Sequence, residues 1–380
     1  MRLTWLAALL LLTAGCGTQA DGAQTSTGAG PGAGAWSRLP DPPLSAREGS
    51  VAAFVGGRAV FVGGYDGPPC PAGADCAYRE DANRSDGAAY DPATASWSRI
   101  ADAPLGVPPE SPATVVGDRL YVLVGDTLLA WDSDRDAWTR TRPPGDPGWS
   151  RPVSDGTRLV LAEDSQERGV HPDQVLDTTT GRWSALPPDP LRPAFDRLLV
   201  PTPAGLVLTA KPLDDDGHPA DPAFVHAALL PEGSDHWQVL PPSEQLGGWR
   251  WSWTGERLVD PTLGGADGGE VNNFGRVLAY GGRLDPATAT WSPLPHAPAE
   301  GSGDWGVEAL DGPRMAVEGW LYDDAAGDWT RLARPDDAPA APGPAVWAGD
   351  TLVVSGGTDG SRGTSPEDVR STGAWALPTD

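Results

Sequence analysis

The sequence predicts an all-β fold, a β-propeller in which seven blades of short antiparallel strands close into one ring. Two internal repeats support this prediction, because a tight hairpin occurs seven times and a hairpin that ends in tryptophan occurs six times. The 49 Gly and 41 Pro supply many turns, while the 17 Trp provide large apolar side chains that a disordered chain lacks. A ring of six blades is the alternative arrangement.

The N-terminal residues are predicted to be a processing signal. Arg2 precedes the apolar segment 3–12, which is too short to span a bilayer comfortably. The run Leu-Thr-Ala-Gly-Cys that ends at Cys16 resembles the lipobox of bacterial lipoproteins, with Thr13 in place of the usual aliphatic residue. The resemblance implies that residues 1–15 are a signal peptide and that Cys16 carries a lipid. The alternative is an ordinary cleaved signal with an unrelated cysteine.

The segment after this signal is predicted to be a tether. Residues 16–34 are rich in Gly, Ala, Ser and Thr without apolar periodicity, so they are expected to form a flexible, lipid-anchored linker before a propeller at 35–380. We therefore expect the protein on the outer face of the cytoplasmic membrane, held there by the lipid only. Its abundant Arg, Ala, Gly and Pro, with Lys211 as the only lysine, resemble the composition of actinobacterial proteins.

The charge of the chain limits its partners. A formal net charge of −25 repels phosphate backbones, so nucleic acid is not an expected partner. The same charge favours a soluble propeller, which we expect to be monomeric.

The first repeat is a tight hairpin that joins two short apolar strands. The run after the turn is often β-branched, as in segments 59–62, 120–124 and 352–354. Turn pairs of this type adopt the positive φ angles that a two-residue hairpin requires. The seven predicted turns are Gly56-Gly57, Gly117-Asp118, Asp155-Gly156, Ala204-Gly205, Gly255-Glu256, Asp311-Gly312 and Gly349-Asp350.

The second repeat places a large apolar residue seven positions before a tryptophan, usually followed by Asp. The residues between them are Asp, Pro, Thr and Gly-rich, which is typical of a turn, so each unit is predicted to be a hairpin with its bulky ends packed between neighbouring blades. The six pairs are Tyr90 and Trp97, Trp131 and Trp138, Leu176 and Trp183, Leu230 and Trp237, Leu284 and Trp291, and Tyr322 and Trp329.

The two ends of the chain are predicted to share the last blade. The seventh tight hairpin is followed by a segment at Trp375–Leu377 that resembles a third strand, with no fourth strand after it. The sequence at 35–39 copies the one at 96–100, so the N-terminal strand is expected to complete this blade. Such closure removes the open sheet edges that otherwise pair with other chains.

Glycine pairs after two of the strands identify a family resemblance. Gly63-Gly64 and Gly356-Gly357, together with the Tyr/Leu-Asp to Trp spacing, resemble kelch repeats and the propeller domain of galactose oxidase over about residues 36–380. In other blades Gly125-Asp126, Glu163-Asp164 and Thr209-Ala210 stand at the diglycine position. The resemblance implies a kelch-like propeller. It does not extend to copper chemistry, which needs two His, Tyr ligands and a Cys joined to Tyr.

Cys70 and Cys76 are the cysteines that remain after Cys16. Because they are close in one loop of an extracytoplasmic protein, we expect a disulfide between them. They lack CxxC spacing and a nearby second Cys/His pair, so no metal site and no cofactor is predicted. The acidic segment 214–217 is interpreted as a solvated loop, because it lacks the ligand spacing of a calcium loop.

Strand direction divides the loops between two faces of the ring. The turns from first to second and from third to fourth strand share the tight-turn face; the other connections share the long-loop face, with insertions at about 66–87, 211–223, 263–276 and 358–372. We expect a site on the long-loop face, where loops vary and a channel opens. Residues at the start of each innermost strand form the candidate binding rim: Arg47, Glu48, Glu110, Trp149, Asp196, Arg197, Trp249, Arg250, Asp304 and Trp305. The alternative is that these Trp pack between blades and the charges are solvated.

The leading functional hypothesis is a binding or interaction module for a carbohydrate, a peptide or an envelope protein, since Trp stacks on sugar rings and charges fix polar groups. No catalytic residue is predicted, because the five histidines form no HxH or HExxH pair. The alternative is an extracellular sugar-modifying enzyme, such as an oxidase, epimerase or lyase with a site at the channel mouth. A structural role within a membrane complex is the third hypothesis.

Overall fold

The computed structural model describes residues 34–68, 79–266, 275–298, 303–359 and 370–379. Seven sheets surround a central channel, which confirms the predicted all-β propeller and shows that the six-bladed alternative is wrong. Within these ranges the helical content is a single 3₁₀ turn at Glu80–Ala82. The predicted signal at 1–15, Cys16, and the pair Cys70 and Cys76 all lie outside the described residues.

The first four blades each contain four antiparallel strands in chain order, with the first strand innermost. Their bounds are Val51–Val55, Arg58–Val62, Gly87–Asp91 and Ser96–Ile100 in blade 1; Ala113–Val116, Arg119–Val124, Thr127–Asp132 and Ala137–Thr141 in blade 2; Ser150–Ser154, Arg158–Glu163, Gln174–Asp177 and Trp183–Ala185 in blade 3; and Ala194–Thr202, Gly205–Pro212, His226–Pro231 and Gln238–Val239 in blade 4.

The last three blades are less regular. Blade 6 has three strands, and an isolated bridge between Ala309 and Ala316 takes the innermost position. Short ribbons, Gly265–Ala266 with Leu278–Ala279 and Ala341–Pro342 with Gly357–Thr358, extend loops of blades 5 and 7. The strands are Ser252–Trp253, Leu258–Asp260, Gly282–Asp285 and Thr290–Ser292 in blade 5; Arg314–Val317, Trp320–Asp323 and Asp328–Arg331 in blade 6; and Ala345–Ala348, Thr351–Ser355, Ala374–Pro378 and Ser37–Arg38 in blade 7.

The tight hairpins occur in the predicted segments, but three of the turns are shifted by one residue. In blade 1, Val55 pairs with Arg58 across Gly56 and Gly57, whose φ angles of 58° and 72° are those of a primed two-residue turn. In blade 4, Thr202 pairs with Gly205, so the turn is at Pro203 and Ala204, one residue earlier than predicted. In blade 3 the amide of Asp155 donates to the carbonyl of Arg158 at 3.1 Å, so the turn is at Gly156 and Thr157. In blade 6 Ala309 pairs with Ala316, so the turn is at Gly312 and Pro313.

The tryptophan hairpins explain how neighbouring blades are fastened together. Tyr90 pairs with Trp97 in register, and five such tryptophans each donate their indole N–H to a main-chain carbonyl just beyond the outer strand of the preceding blade. Phenylalanine has no N–H donor and could not make this bond. The tryptophan that recurs in the repeat therefore supplies both a large apolar ring and a hydrogen-bond donor. The five donor–acceptor pairs are Trp97 with Pro40 (2.8 Å), Trp138 with Ala101 (2.7 Å), Trp237 with Pro187 (2.9 Å), Trp291 with Pro241 (2.7 Å) and Trp329 with Pro295 (2.9 Å).

The core consists of apolar layers between adjacent blades. Val60 of blade 1 and Val122 of blade 2 are fully buried in one such layer, together with Trp131. The second strand of each blade is apolar on both faces because each face packs against a neighbouring blade, which accounts for the continuous Val and Leu runs of the sequence.

The N-terminal strand completes blade 7, as predicted. Ser37 pairs with Ala376 and Arg38 with Trp375, so the N-terminal strand is the outermost of the four. The described residues contain no helix with the length and apolar character needed to cross a bilayer.

Candidate functional site

A pocket of about 310 Å³ opens on the long-loop face at blade 3. One wall is the connection from blade 2, residues 143–150, and the other is the loop between the second and third strands of blade 3, residues 163–174. We call this cavity the Trp149 pocket. It lies on the predicted face, but it is not formed by any of the four predicted insertions.

Trp149 is the largest apolar side chain of this pocket and is 52 % exposed. The carbonyl of Trp149 accepts a hydrogen bond of 2.8 Å from the amide of Asp164, which fixes the residue beside the second strand. The guanidinium of Arg168 lies 4.1 Å from the indole centroid, a cation–π contact that orients both side chains. About half of the tryptophan therefore remains available to a ligand in a position that its neighbours hold.

Glu163 and His171 form a polar pair in the same pocket. The Nδ1 atom of His171 lies 2.7 Å from Oε1 of Glu163, and the His171 amide donates to Oε2 at 3.2 Å. This hydrogen bond, and then the negative charge of Glu163, raise the pKa of His171 above its ordinary value. The imidazole is largely exposed, whereas the carboxylate is only 13 % exposed, so Glu163 is the fixed member and His171 the accessible one.

Two hydrogen bonds from residues outside the pocket lining fix the backbone of Glu163. Its amide donates to Oδ1 of Asp173 at 2.9 Å, and its carbonyl accepts a hydrogen bond from the guanidinium of Arg197. The pocket floor is therefore tied to a buried ion pair between blades 3 and 4.

The loss of the diglycine in blade 3 is what places carboxylates here. In blade 1, Gly63 and Gly64 have φ angles of 72° and 92°, and a Cβ on Gly63 would lie 2.4 Å from the side chain of Val107. Glu163 and Asp164 take the corresponding positions in blade 3 without positive φ. Burial raises the pKa of Asp164. The replacement of the diglycine by Glu163 and Asp164 is therefore the sequence signal that marks this site.

Three residues of the candidate rim have their side chains in the interior. Arg47 pairs with Asp86 at 2.7 Å, and Trp305 is fully buried. Arg197 lies 2.9 Å from Asp173 and has a side chain only 1 % exposed. These three side chains support the fold. Trp305 packs between blades, as the alternative expected, whereas Arg47 and Arg197 are buried in ion pairs and not solvated.

Four more rim residues carry charges that are already paired. Each of these charges therefore already has a partner within the chain. The pairs are Glu48 with Arg370 (3.4 Å), Asp196 with Lys211 (2.9 Å), Arg250 with Glu318 (2.8 Å) and Glu308 (2.9 Å), and Asp304 with Arg331 (2.7 Å).

The remaining three rim residues are exposed. Glu110 lies in a connecting loop with a φ angle of 60°. Trp249 precedes the first strand of blade 5 and is 59 % exposed. Of these three exposed residues, Trp149 lines the Trp149 pocket together with several polar side chains. The ten residues thus do not form one continuous rim, and Glu163, Arg168 and His171 were not among them.

No family model matches this chain, and the search of curated proteins found no match either. Among the described residues there is no group of three or more His, Cys, Asp or Glu side chains that could hold a metal ion. The fold and the pocket define the class as a seven-bladed β-propeller, an architecture compatible with a binding or interaction module.

Proposed function

We propose that this propeller is a carbohydrate-binding module and that the Trp149 pocket takes a neutral glycan. The observation that carries the proposal is the half-exposed Trp149 beside the fixed Glu163–His171 pair. Sugar rings present C–H faces to aromatic rings and hydroxyl groups to polar side chains. The pocket offers both kinds of surface within one cavity.

The chemistry of the lining favours a sugar over a peptide or a protein surface. Glu163 is an acceptor for ligand hydroxyl groups, while Arg168 and His171 are donors. A cavity of about 310 Å³ is of the size that takes a small ligand and is too small for a protein surface. The net charge of −25 repels polyanionic chains, which directs the proposal to neutral glycans.

We further propose that the module is a kelch-type propeller held outside the cell by a lipid on Cys16. The diglycines at 63–64 and 356–357 and the lipobox-like run before Cys16 support this assignment. A surface-attached binding module would hold the cell against a glycan, or a glycan against the cell.

Substitution Cys16→Ser is expected to release the protein from the membrane fraction into the medium, because a serine cannot carry the thioether-linked lipid. Fractionation and immunoblotting of cells that express the two forms measure this. Retention of the serine variant in the membrane would contradict lipid anchoring and would leave glycan binding untouched.

Substitution Trp149→Ala is expected to weaken glycan binding about tenfold or more, corresponding to ~1.4 kcal/mol, because a stacking surface is lost. The probes are immobilised neutral gluco-, galacto- and manno-oligosaccharides, followed by calorimetric titration of the strongest binder. Trp249→Ala is the matched control, since Trp249 is similarly exposed but outside the pocket. Equal losses in both variants, or no binding by the unaltered protein, would contradict the proposal.

An enzyme acting on sugars remains the second candidate, and one observation favours it. The Glu163–His171 pair has the geometry of an oriented proton acceptor, with the imidazole exposed. The glycan recovered after the titration distinguishes the two functions. An unchanged mass and NMR spectrum support a binding module, whereas cleavage, elimination or epimerisation supports the enzyme.

A further inference from the structure

The central channel contains a second cavity, of about 560 Å³, which is separate from the Trp149 pocket. Residues of all seven blades line it, and they lie in the half of the channel next to the tight turns. The lining includes Ser154 and Pro201 beside the turns of blades 3 and 4, and Gly312 within the turn of blade 6. The cavity therefore belongs to the tight-turn face.

The side chains that line this cavity are mostly apolar or aromatic. Phe54, Trp253 and Trp347 contribute rings, and most of the other lining residues are Ala, Val, Leu and Pro. The indole N–H of Trp347 already donates to the carbonyl of Ala309 at 3.1 Å, so its ring acts as apolar surface. Among the lining residues Asp311 alone carries a charge at neutral pH, and none is basic.

Asp311 is exposed, and it lines both the channel cavity and the adjoining crevice. Among the described residues its carboxylate has no hydrogen bond and no ion pair. Desolvation by the surrounding protein atoms raises the pKa of Asp311 above its ordinary value. The carboxylate is therefore accessible to a ligand in the cavity and has no partner from the described part of the chain.

The nearest basic residue along the chain does not neutralise this charge. Arg314 lies in the adjoining crevice, where its Nε is 3.1 Å from Asp323 and its Nη1 is 2.7 Å from Oγ1 of Thr379. Its Nε and Nη1 donors are directed to those partners, and no ion pair joins Arg314 to Asp311 among the described residues.

We propose that the channel binds a small organic cation, with its ammonium group at Asp311 and its apolar body against Phe54, Trp253 and Trp347. A carboxylate gains a charge-assisted contact from an ammonium group, and aromatic faces attract the same cation through their quadrupoles. A single carboxylate is a poor site for a hard metal ion, which requires several oxygen ligands. A volume of about 560 Å³ holds a ligand of this type.

The test uses benzyltrimethylammonium chloride as the cation and benzyl alcohol as a neutral probe of similar apolar shape. In calorimetric titrations the unaltered protein is expected to bind the cation, and Asp311→Asn is expected to weaken it about tenfold or more. Asp350→Asn is the matched control, because Asp350 lies in the tight turn of the next blade and lines the crevice rather than the channel. Its affinity should equal that of the unaltered protein.

The pH dependence gives a second readout. The cationic probe does not titrate, so its affinity is expected to fall as the pH drops through the raised pKa of Asp311 and the carboxylate is neutralised. Arg314 and Asp350 share the adjoining crevice with Asp311, and Asp323 pairs with Arg314, but none of the three lines the channel. The Asp311→Asn variant should therefore lose the pH dependence of binding.

Three outcomes would overturn the proposal: equal affinity of the Asp311→Asn variant, an equally strong binding of benzyl alcohol, or no binding of the cation at millimolar concentration. None of them bears on glycan binding, since the two cavities share no residue.

Discussion

Deletion of residues 35–39 is expected to lower the free energy of unfolding by about 5 kcal/mol or more, since it removes a strand and a packed tryptophan. The deletion opens blade 7 and exposes the edge of Ala374–Pro378. An unpaired edge of this kind also promotes association between chains, so aggregation on heating is part of the expected result.

The contacts of this strand explain the size of the effect. The Trp36 ring packs edge-on against Trp305 at a centroid distance of 5.0 Å, and Trp305 in turn packs against Trp375 at 5.8 Å. The amide of Leu39 donates to the carbonyl of Ala374 at 2.9 Å. Arg38 adds a salt bridge of 3.2 Å to Asp337. The strand thus links the outer edge of blade 7 to the aromatic layer between blades 6 and 7.

Chemical denaturation of the deletion variant, monitored by tryptophan fluorescence, measures this loss. A deletion of equal length at 22–26, within the predicted linker, is the control and should leave stability unchanged. Addition of a peptide of residues 33–40 should restore part of the lost stability. An unchanged unfolding midpoint after deletion of 35–39 would contradict closure of the ring by the N-terminal strand.

Substitution Arg197→Ala is expected to cost about 3–5 kcal/mol, because it leaves the buried carboxylate of Asp173 without a counterion and Asp189 with only the more distant Arg192. The Nη2 atom of Arg197 lies 2.9 Å from Asp173 and 3.0 Å from Asp189, whose side chains are 6 % and 1 % exposed. Its Nη1 also donates to the carbonyl of Glu163, so the substitution loosens the floor of the Trp149 pocket as well.

Acid should rescue this variant in part. Without Arg197, the negative charges of Asp173 and Asp189 are buried and poorly compensated. The penalty is then present at neutral pH and is relieved as the pH falls and the carboxylates become protonated. Urea unfolding at neutral and mildly acidic pH measures the effect. Arg192→Ala is the control, since Arg192 is 3.6 Å from Asp189 and 28 % exposed, and it should cost less than about 1 kcal/mol. A similar small cost for Arg197→Ala would contradict the assignment.

The scaffold could be predicted because its signals are local and repeated. A two-residue turn and a spacing of seven between two bulky residues are properties of a single hairpin, and each recurs around the ring. The hydrogen bond from Trp97 to the carbonyl of Pro40 crosses between blades, and a bond of the same kind accompanies the same spacing in four other blades. Three turns are shifted by one residue because a glycine need not lie within the turn; in blade 4, for example, Gly205 pairs in the strand and the turn is at Pro203 and Ala204.

The candidate site could be predicted only in part, because counting along a strand locates a residue but not the partner of its side chain. Arg47 and Arg197 both lie near the start of an innermost strand. Each points into the interior and forms an ion pair there, Arg47 with Asp86 and Arg197 with Asp173. Glu163 and His171 meet across eight residues of loop whose path no sequence periodicity fixes. The sequence places Asp311 in a tight turn, and its position at the channel follows only from the arrangement of the seven blades.

Oxidative footprinting of tryptophan with and without a bound glycan tests the central claim most directly. Trp149 and Trp249 are the two most exposed tryptophans among the described residues, at 52 % and 59 %, so each serves as the reference for the other. A neutral glycan that binds at the proposed site should reduce hydroxyl-radical oxidation of Trp149 and leave that of Trp249 unchanged, as read by mass spectrometry of the peptides. Binding that protects Trp249, or that leaves Trp149 as reactive as before, would contradict the assignment of the Trp149 pocket as the glycan site.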